Sequence, residues 1–396
     1  MHAAKFIRCV QSGLVFSFFA LLVYGQVVAQ EAVESTKVDT SQTEALRQTI
    51  VERGFRYLAK EAQSDEGLVS PRVGPGVTAL VVTGAIRNGF SPSDPTVAKA
   101  LKALEGFVKP DGGIYGNGRL RNYETCVAML AFSQANATGK YDEILKRAKD
   151  FVTGVQYGKA EKDPSDPWYG GASYDGKGRP DLSNTGYLIE ALRSLDTNPN
   201  DPAIQAALAF VSRTQNLDAK FNDTQFADKI NDGGFYYEIP TEKIDPSTSE
   251  ERYLSNGGLR SYGSMTYTGL KSMIYAGLNS NDPRVKAAMK WIGDHYDLDN
   301  NPGMGTAGLY YYYHTFAAAL SAASVANVQD SDGNVHDWRA DLINELAERQ
   351  NEDGSWSNDN RRWFENDKGL ATAFALMALG HAKPAQTTGK AVSIPE

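Results

Sequence analysis

Cysteine is nearly missing from this chain, which carries only Cys9 and Cys126 among 396 residues. Two thiols build neither a disulfide-stapled scaffold nor a Cys-rich zinc module. Basic clusters are missing as well: 40 Lys and Arg stand against 48 Asp and Glu, a formal net charge of −8. Phosphate backbones are bound by concentrated positive charge, so no nucleic-acid partner is expected. No alternating strand pattern runs over any long stretch, and beyond the first thirty residues no apolar run reaches membrane-spanning length. What is present, 41% hydrophobic and 22% charged residues, is the balance of a folded globular protein.

The N-terminus has a character of its own. Lys5 and Arg8 precede an apolar run from Gly13 to Tyr24, and Val27-Val28-Ala29 supplies small residues for cleavage. This layout predicts a secretory signal peptide over 1–29, with an uncleaved anchor as the rival reading. Cleavage after Ala29 would remove Lys5 and Arg8, taking the net charge from −8 to −10, and would leave Cys126 unpaired. The expectation is an exported protein, periplasmic or extracellular, with no transmembrane segment in the mature chain. The remainder divides into a linker over 30–43, one repeat domain over 44–382 and a flexible tail over 383–396.

Three elements recur through that domain. Asp94-Pro95, Asp201-Pro202 and Asp282-Pro283 each open a segment with apolar residues three, seven and ten positions after the Asp. Asp caps a helix start, Pro suits the first helical position, and this spacing lays one apolar stripe along the helix. Glycine turns form the second element, at Gly67, Gly112, Gly170, Gly233 and Gly354, each followed by apolar or aromatic residues. The third is a helix rich in small residues around Thr78, Thr125, Thr185, Thr268, Thr315 and Thr372, apolar on nearly every face. Such a helix is packed on both sides. Outer helix, glycine turn and inner helix, six times over, predict an all-α fold: a closed α/α toroid of six helical hairpins. An open solenoid would need polar caps at both ends, and the last repeat stays apolar to His381.

These residues resemble the terpenoid cyclase and protein prenyltransferase superfamily, in particular its secreted single-toroid repeat proteins. Gln350-Asn351-Glu352-Asp353-Gly354-Ser355-Trp356 matches the Q-x-x-x-G-x-W repeat of squalene-type cyclases, and Gln63 to Gly67 is a truncated copy. Tyr312-Tyr313-His314-Thr315 looks like the segment carrying the zinc-binding histidine of prenyltransferase β subunits. The resemblance implies a central cavity for an isoprenoid or other lipid-like ligand. Its chemistry does not carry over. Ser264 and Thr266 stand where the family has Asp-x-Cys zinc ligands, and no Asp-x-Asp-Asp acid segment is present. Hydroxyls are poor zinc ligands. Neither a metal nor any other cofactor is therefore expected.

The residues just before the six threonines are Val77, Glu124, Asn184, Tyr267, His314 and Ala371. If the threonines share one geometry, these six ring a cavity mouth. His314, Tyr267 and Glu124 are then the candidate catalytic groups, since a neutral imidazole beside a phenol relays a proton without metal. Tyr262, Tyr313 and Asn184, with Trp363 and Glu365 from the last loop, are the candidate ligand-binding residues. An aromatic wall suits an isoprenoid by burial or a sugar by stacking, and the tyrosines of Tyr310 to Tyr313 equally suit plain packing. Three functions stay open: a lipid-directed enzyme, a carbohydrate-active lyase or hydrolase, and a non-catalytic binding protein. Each takes a small lipid-like or glycan ligand, and nothing in the pattern specifies an oligomeric state.

Overall fold

The computed structural model describes residues 40–158, 163–241 and 253–383. The expected signal peptide and the tail beyond Lys383 lie outside the described residues. Outer helices are α1 (40–57), α3 (Pro95–Glu105), α5 (Asp142–Gly154), α7 (Pro202–Arg213), α9 (Pro283–Asp294) and α11 (Trp338–Glu348). Inner helices are α2 (Gly76–Arg87), α4 (Arg121–Gln134), α6 (Leu182–Arg193), α8 (Gly263–Tyr275), α10 (Leu309–Ala322) and α12 (Lys368–His381). Each inner helix packs on two inner neighbours, and α12 returns to α2. The ring is closed. Residues 40–43 are helical and belong to α1, so the expected linker already contributes its end to the first hairpin. One short antiparallel pair, β1 (Val328–Gln329) with β2 (Val335–His336), precedes α11. No described helix is long and apolar enough to cross a membrane.

The Asp-Pro starts behave as their chemistry requires. Asp94, Asp201 and Asp282 each accept a hydrogen bond from a backbone N–H two residues on, and the apolar stripes behind them are buried except for Met289, which is half-buried. Asp337 caps α11 in the same way without a proline.

The glycine turns explain how hairpins lock together. Gly67, Gly112, Gly170, Gly233 and Gly354 all have φ between +82° and +92°. A Cβ on any of them would lie within 2.7 Å of a carbonyl oxygen on the next outer helix, at Lys99, Arg147, Ala206, Ala287 and Arg53 respectively. Only glycine satisfies both demands at once. A glutamine completes the latch. The side-chain amides of Gln63, Gln156, Gln215 and Gln350 each donate to the carbonyl of their glycine and to one on the next outer helix, at Thr96, Ala203, Arg284 and Ile50. Gln350 and Gly354 therefore dock on α1, which closes the ring. The residue two after each glycine plugs the seam: Val69, Ile114, Ala172, Phe235 and Trp356 are all buried.

The threonines tie each plug to its inner helix. The N–H groups of Val69, Ile114, Ala172, Phe235 and Trp356 donate to the hydroxyls of Thr78, Thr125, Thr185, Thr266 and Thr372 at 2.9–3.1 Å. All six threonines expected on inner helices are there, but the shared geometry fails at two of them. In α8 the equivalent residue is Thr266, and Thr268 instead donates within its own helix to Ser264. Thr315 bonds Tyr312, and the fifth hairpin uses Asn301 in place of a latch, its side chain bridging Ser264 and Ala307. A two-residue slip on a helix turns a side chain by roughly 200°, so the expected ring of six mouth residues does not form as drawn.

Candidate functional site

The connections from outer to inner helix all lie at one end of the ring, where the inner helices start. Two of them carry extra chain. The connection before α8 forms its own small core from Phe210, Phe226, Tyr236, Ile239, Tyr253 and Leu259. Backbone bonds then stitch these loops to the helix starts: Asn122 N–H donates to the Tyr174 carbonyl, and Leu182 N–H donates to the Tyr237 carbonyl. Tyr174 and Tyr237 are thereby held over the first turns of α4 and α6.

The mouth is walled by tyrosines. Tyr123 of α4 meets Tyr174 and Tyr187 at ring-centroid distances of 5.9 and 5.3 Å. Tyr311 of α10 reaches across α8 to Ser183 of α6, hydroxyl to hydroxyl at 2.7 Å, and packs on Phe374 of α12. Tyr174 is 40% exposed, and Tyr123, Tyr237, Tyr262 and Tyr311 are half-buried. Polar hydroxyls on apolar rings make an amphipathic wall.

Asp181 sits in this wall as the cap of α6. Its carboxylate accepts from the Asn184 N–H at 2.8 Å and from the Asn184 side-chain amide at 2.7 Å. The Tyr237 hydroxyl lies beside it and helps to hold the carboxyl down, and Tyr174 and Tyr237 act on each other in turn. Asp181 is only 3% exposed, and that burial pushes its carboxyl up to about 7 against the opposing pull of these bonds, with the nearby Glu238 adding to the rise. Glu238 is itself paired with Arg179 at 2.7 Å. A carboxyl that titrates near neutrality is poised to take or give a proton.

This shift carries a stability prediction. A buried acid whose folded pKa stands above its unfolded value, about 3.9 for Asp, stabilises the fold fully at low pH. That contribution is lost as pH rises from about 4 through about 7. Asp181→Asn should therefore be more stable than the wild type at pH 8, by up to a few kcal/mol, and gain nothing at pH 3. Urea denaturation at the two pH values checks it.

Below the mouth, the axis of the toroid is filled. His314 of α10 lies between Tyr187 of α6 and Phe374 of α12, near-parallel to both with centroids 6.4 and 6.1 Å away. It is fully buried, and neither ring nitrogen has a hydrogen-bond partner among the described residues. Burial, then Lys271, then Arg87 push its pKa down to about 3, so the ring is neutral. Deeper still, Glu190 of α6 receives Lys271 of α8 at 2.5 Å and Arg87 of α2 at 3.1 Å. Burial alone would raise the Glu190 carboxyl, but the two cations outweigh it and hold it well below the usual carboxylate range. Arg87 also donates to His381 of α12 at 2.8 Å.

The sequence-predicted residues scatter across this arrangement. His314 is on the axis and Asn184 is beside Asp181, with its side-chain oxygen unpartnered among the described residues. Tyr262 caps the start of α8 near Tyr237. Tyr267 points elsewhere: its ring packs on Tyr312 and Phe316, so it does not pair with His314. Tyr313 turns to the outer layer and donates to the Leu298 carbonyl at 2.6 Å. Of Tyr310 to Tyr313, Tyr311 faces the axis. Glu124 accepts from the Gly116 N–H at 2.9 Å, and a Cβ on Gly74 would lie 2.1 Å from its other oxygen, so it pins two loops. Glu365 caps α10 by accepting from the Tyr310 and Tyr311 N–H groups. Trp363 lies against Gly308, stacked by Arg362, and is 47% exposed. Desolvation raises both Glu124 and Glu365, but each is already committed to backbone amides.

Asp181, Tyr174, Tyr237, Glu190 and Lys271 were not singled out by sequence. A signal existed for two of them: Glu190 and Lys271 each interrupt an otherwise apolar inner helix. Among the described residues no group of three His, Cys, Asp or Glu is placed to hold a metal ion. Ser264 and Thr266 are engaged with Asn301 and the Phe235 plug, and Cys126 is buried, its thiol pushed up by desolvation.

The fold and mouth define an α/α toroid with a polar, aromatic-walled end. No family model matches the chain, and no curated protein matches it. Among solved structures it is similar to a D-mannose isomerase, with a TM-score of 0.53 and 13% identity, covering 85% of this chain and 96% of that one. It is also similar to a polysaccharide lyase, with a TM-score of 0.49 and 10% identity, covering 86% and 97%. The D-mannose isomerase match overturns the terpenoid cyclase and prenyltransferase resemblance. The Q-x-x-x-G-x-W segment that suggested it is the latch between hairpins, a property of the ring and not of a chemistry.

Proposed function

We propose that the chain is a carbohydrate-active toroid that binds a saccharide in the tyrosine-walled mouth and performs acid–base chemistry there. The observation that carries the proposal is Asp181, a buried carboxyl titrating near neutrality beside the Tyr237 hydroxyl. A sugar is amphipathic in the same sense as the mouth. Its C–H faces pack on Tyr123, Tyr174 and Tyr311, and its hydroxyls meet Ser183, Asn184 and Asp181. In this reading Asp181 is the group that takes or gives the proton, and Tyr237 orients it and shares in the transfer. The shared fold with a D-mannose isomerase supports a carbohydrate substrate class. Export after signal cleavage, read from the N-terminal pattern, belongs to the same proposal and places the substrate outside the cytoplasm.

The test is a panel of mono- and oligosaccharides, followed by heat of binding and by product formation. The wild type should turn over at least one of them. Asp181→Asn and Tyr237→Phe should each lower kcat by about 10²–10⁴-fold, the usual scale of a lost general acid or base, while the protein stays folded. Full activity in Asp181→Asn, or no binding across the panel, overturns the reading.

A further inference from the structure

The charges on the toroid axis do not balance among themselves. Arg87 from α2 and Lys271 from α8 converge on one carboxylate, Glu190 from α6. The side chains of Lys271 and Glu190 are each 3% exposed and that of Arg87 14%. The histidines and tyrosines here are uncharged, and Arg193 adds a further cation beside Tyr275. His314 from α10 and His381 from α12 are held neutral by burial and by the two cations, and burial keeps Tyr123, Tyr187, Tyr275 and Tyr311 protonated. Lys271, Glu190 and Arg87 are the charges that act on His314, whereas Asp181 lies a layer above and is not among them. Two cations against one anion leave positive charge in excess around the buried Lys271. An uncompensated buried charge is costly, and an anion supplied from outside removes the cost.

Hydrogen-bonding capacity is left over in the same place. An ammonium group has three N–H donors, and Glu190 is the hydrogen-bond partner of Lys271, with the Tyr187 ring 5.6 Å from its nitrogen. A neutral imidazole has one donor and one acceptor, and both nitrogens of His314 are without a partner among the described residues. His314 is buried directly beneath the mouth. It lies one helical turn below Tyr311, ring centroids 6.5 Å apart.

We infer that the floor of the mouth is a subsite for a singly charged oxyanion, and that the saccharide bound above it is therefore a sugar acid, carrying a carboxylate or a sulfate ester. The inference rests on the carbohydrate reading above. Lys271 supplies the charge, and its spare N–H groups meet the oxyanion. His314 donates one hydrogen bond to the same group and accepts another from an adjacent sugar hydroxyl. One unmatched positive charge fits a monoanion and not a phosphate dianion.

Calorimetry at constant ionic strength tests this, with D-glucuronate and D-glucose as probes and acetate and methyl sulfate as competitors. Wild-type protein should bind glucuronate at least about tenfold tighter than glucose, the scale of one charge-assisted hydrogen bond. Competition by acetate assigns the carboxylate, and competition by methyl sulfate alone assigns the ester. In Lys271→Met the preference should collapse while the glucose affinity holds, since Glu190 keeps Arg87. The wild-type comparison stands even if that variant does not fold. Equal binding of glucose and glucuronate overturns the inference and leaves the carbohydrate reading intact. No binding across the saccharide panel, with acetate or methyl sulfate still raising the melting temperature, overturns the carbohydrate reading and keeps the anion subsite. No sugar binding and no anion effect overturns both.

Discussion

Trp356→Ala is expected to destabilise the protein by about 3–5 kcal/mol, the range for emptying a large buried aromatic site. Trp356 is fully buried, its indole N–H donates to the Leu346 carbonyl at 2.8 Å, and its own backbone N–H is held by Thr372. Its location puts that loss at the seam that closes the ring. A Cβ on Gly54 of α1 would lie 2.6 Å from the indole ring, so the tryptophan is wedged where the last hairpin meets the first. The Gln350 latch and the Arg53 bonds to the carbonyls of Asn351 and Glu352 close the same seam. Loosening it should raise hydrogen exchange in α1 and α12 ahead of the rest of the ring. Urea denaturation gives the stability and exchange gives the location. A loss below about 1 kcal/mol would mean that the ring does not depend on this contact.

That seam also shows what sequence could and could not disclose. Asp94, Asp201 and Asp282 act locally, on amides two residues away, so their helices were legible from spacing alone. The latch was legible at Gln350 and Gln63, where glutamine and glycine are four apart. At Gln156 and Gln215 the same latch spans insertions before Gly170 and Gly233, and a fixed-spacing motif cannot see it. Register on α8 was lost because Thr266 and Thr268 both present a hydroxyl, and only the partner, Phe235, distinguishes them. The site was less legible again. His314 stood out as a lone histidine in an apolar run, but its direction depends on helix phase. Asp181 looks in sequence like any helix cap. What sets it apart is burial beneath Tyr174 and Tyr237, from two separate loops that only the closed ring brings together.

Glu190→Gln is expected to cost about 3–5 kcal/mol, the scale for removing one partner from a buried ion pair. The amide is nearly the same size, so the loss is electrostatic: Lys271 and Arg87 would remain in the lumen without their shared carboxylate. The pH dependence gives the sign independently. Glu190 has a depressed folded pKa, so its contribution is present above the usual Glu value of about 4.3 and is lost as pH falls through the folded value. The variant should therefore lack that acid-side loss, and its deficit against the wild type should shrink below about pH 4. Asp181 has the opposite sign and acts between about pH 4 and 7, so the two contributions separate in one pH series. A constant deficit from acid to neutral pH would mean that Glu190 acts by shape alone.

The location of a bound sugar tests the central claim most directly. A crystal structure of the wild-type protein with an oligosaccharide found in the panel should place one ring among Tyr174, Tyr237 and Tyr311. One of its oxygens should hydrogen-bond Asp181, and its acidic group should point down the axis toward His314 and Lys271. A sugar seated on the outer helices, with the Ser183–Tyr311 contact undisturbed and the mouth empty, would contradict it.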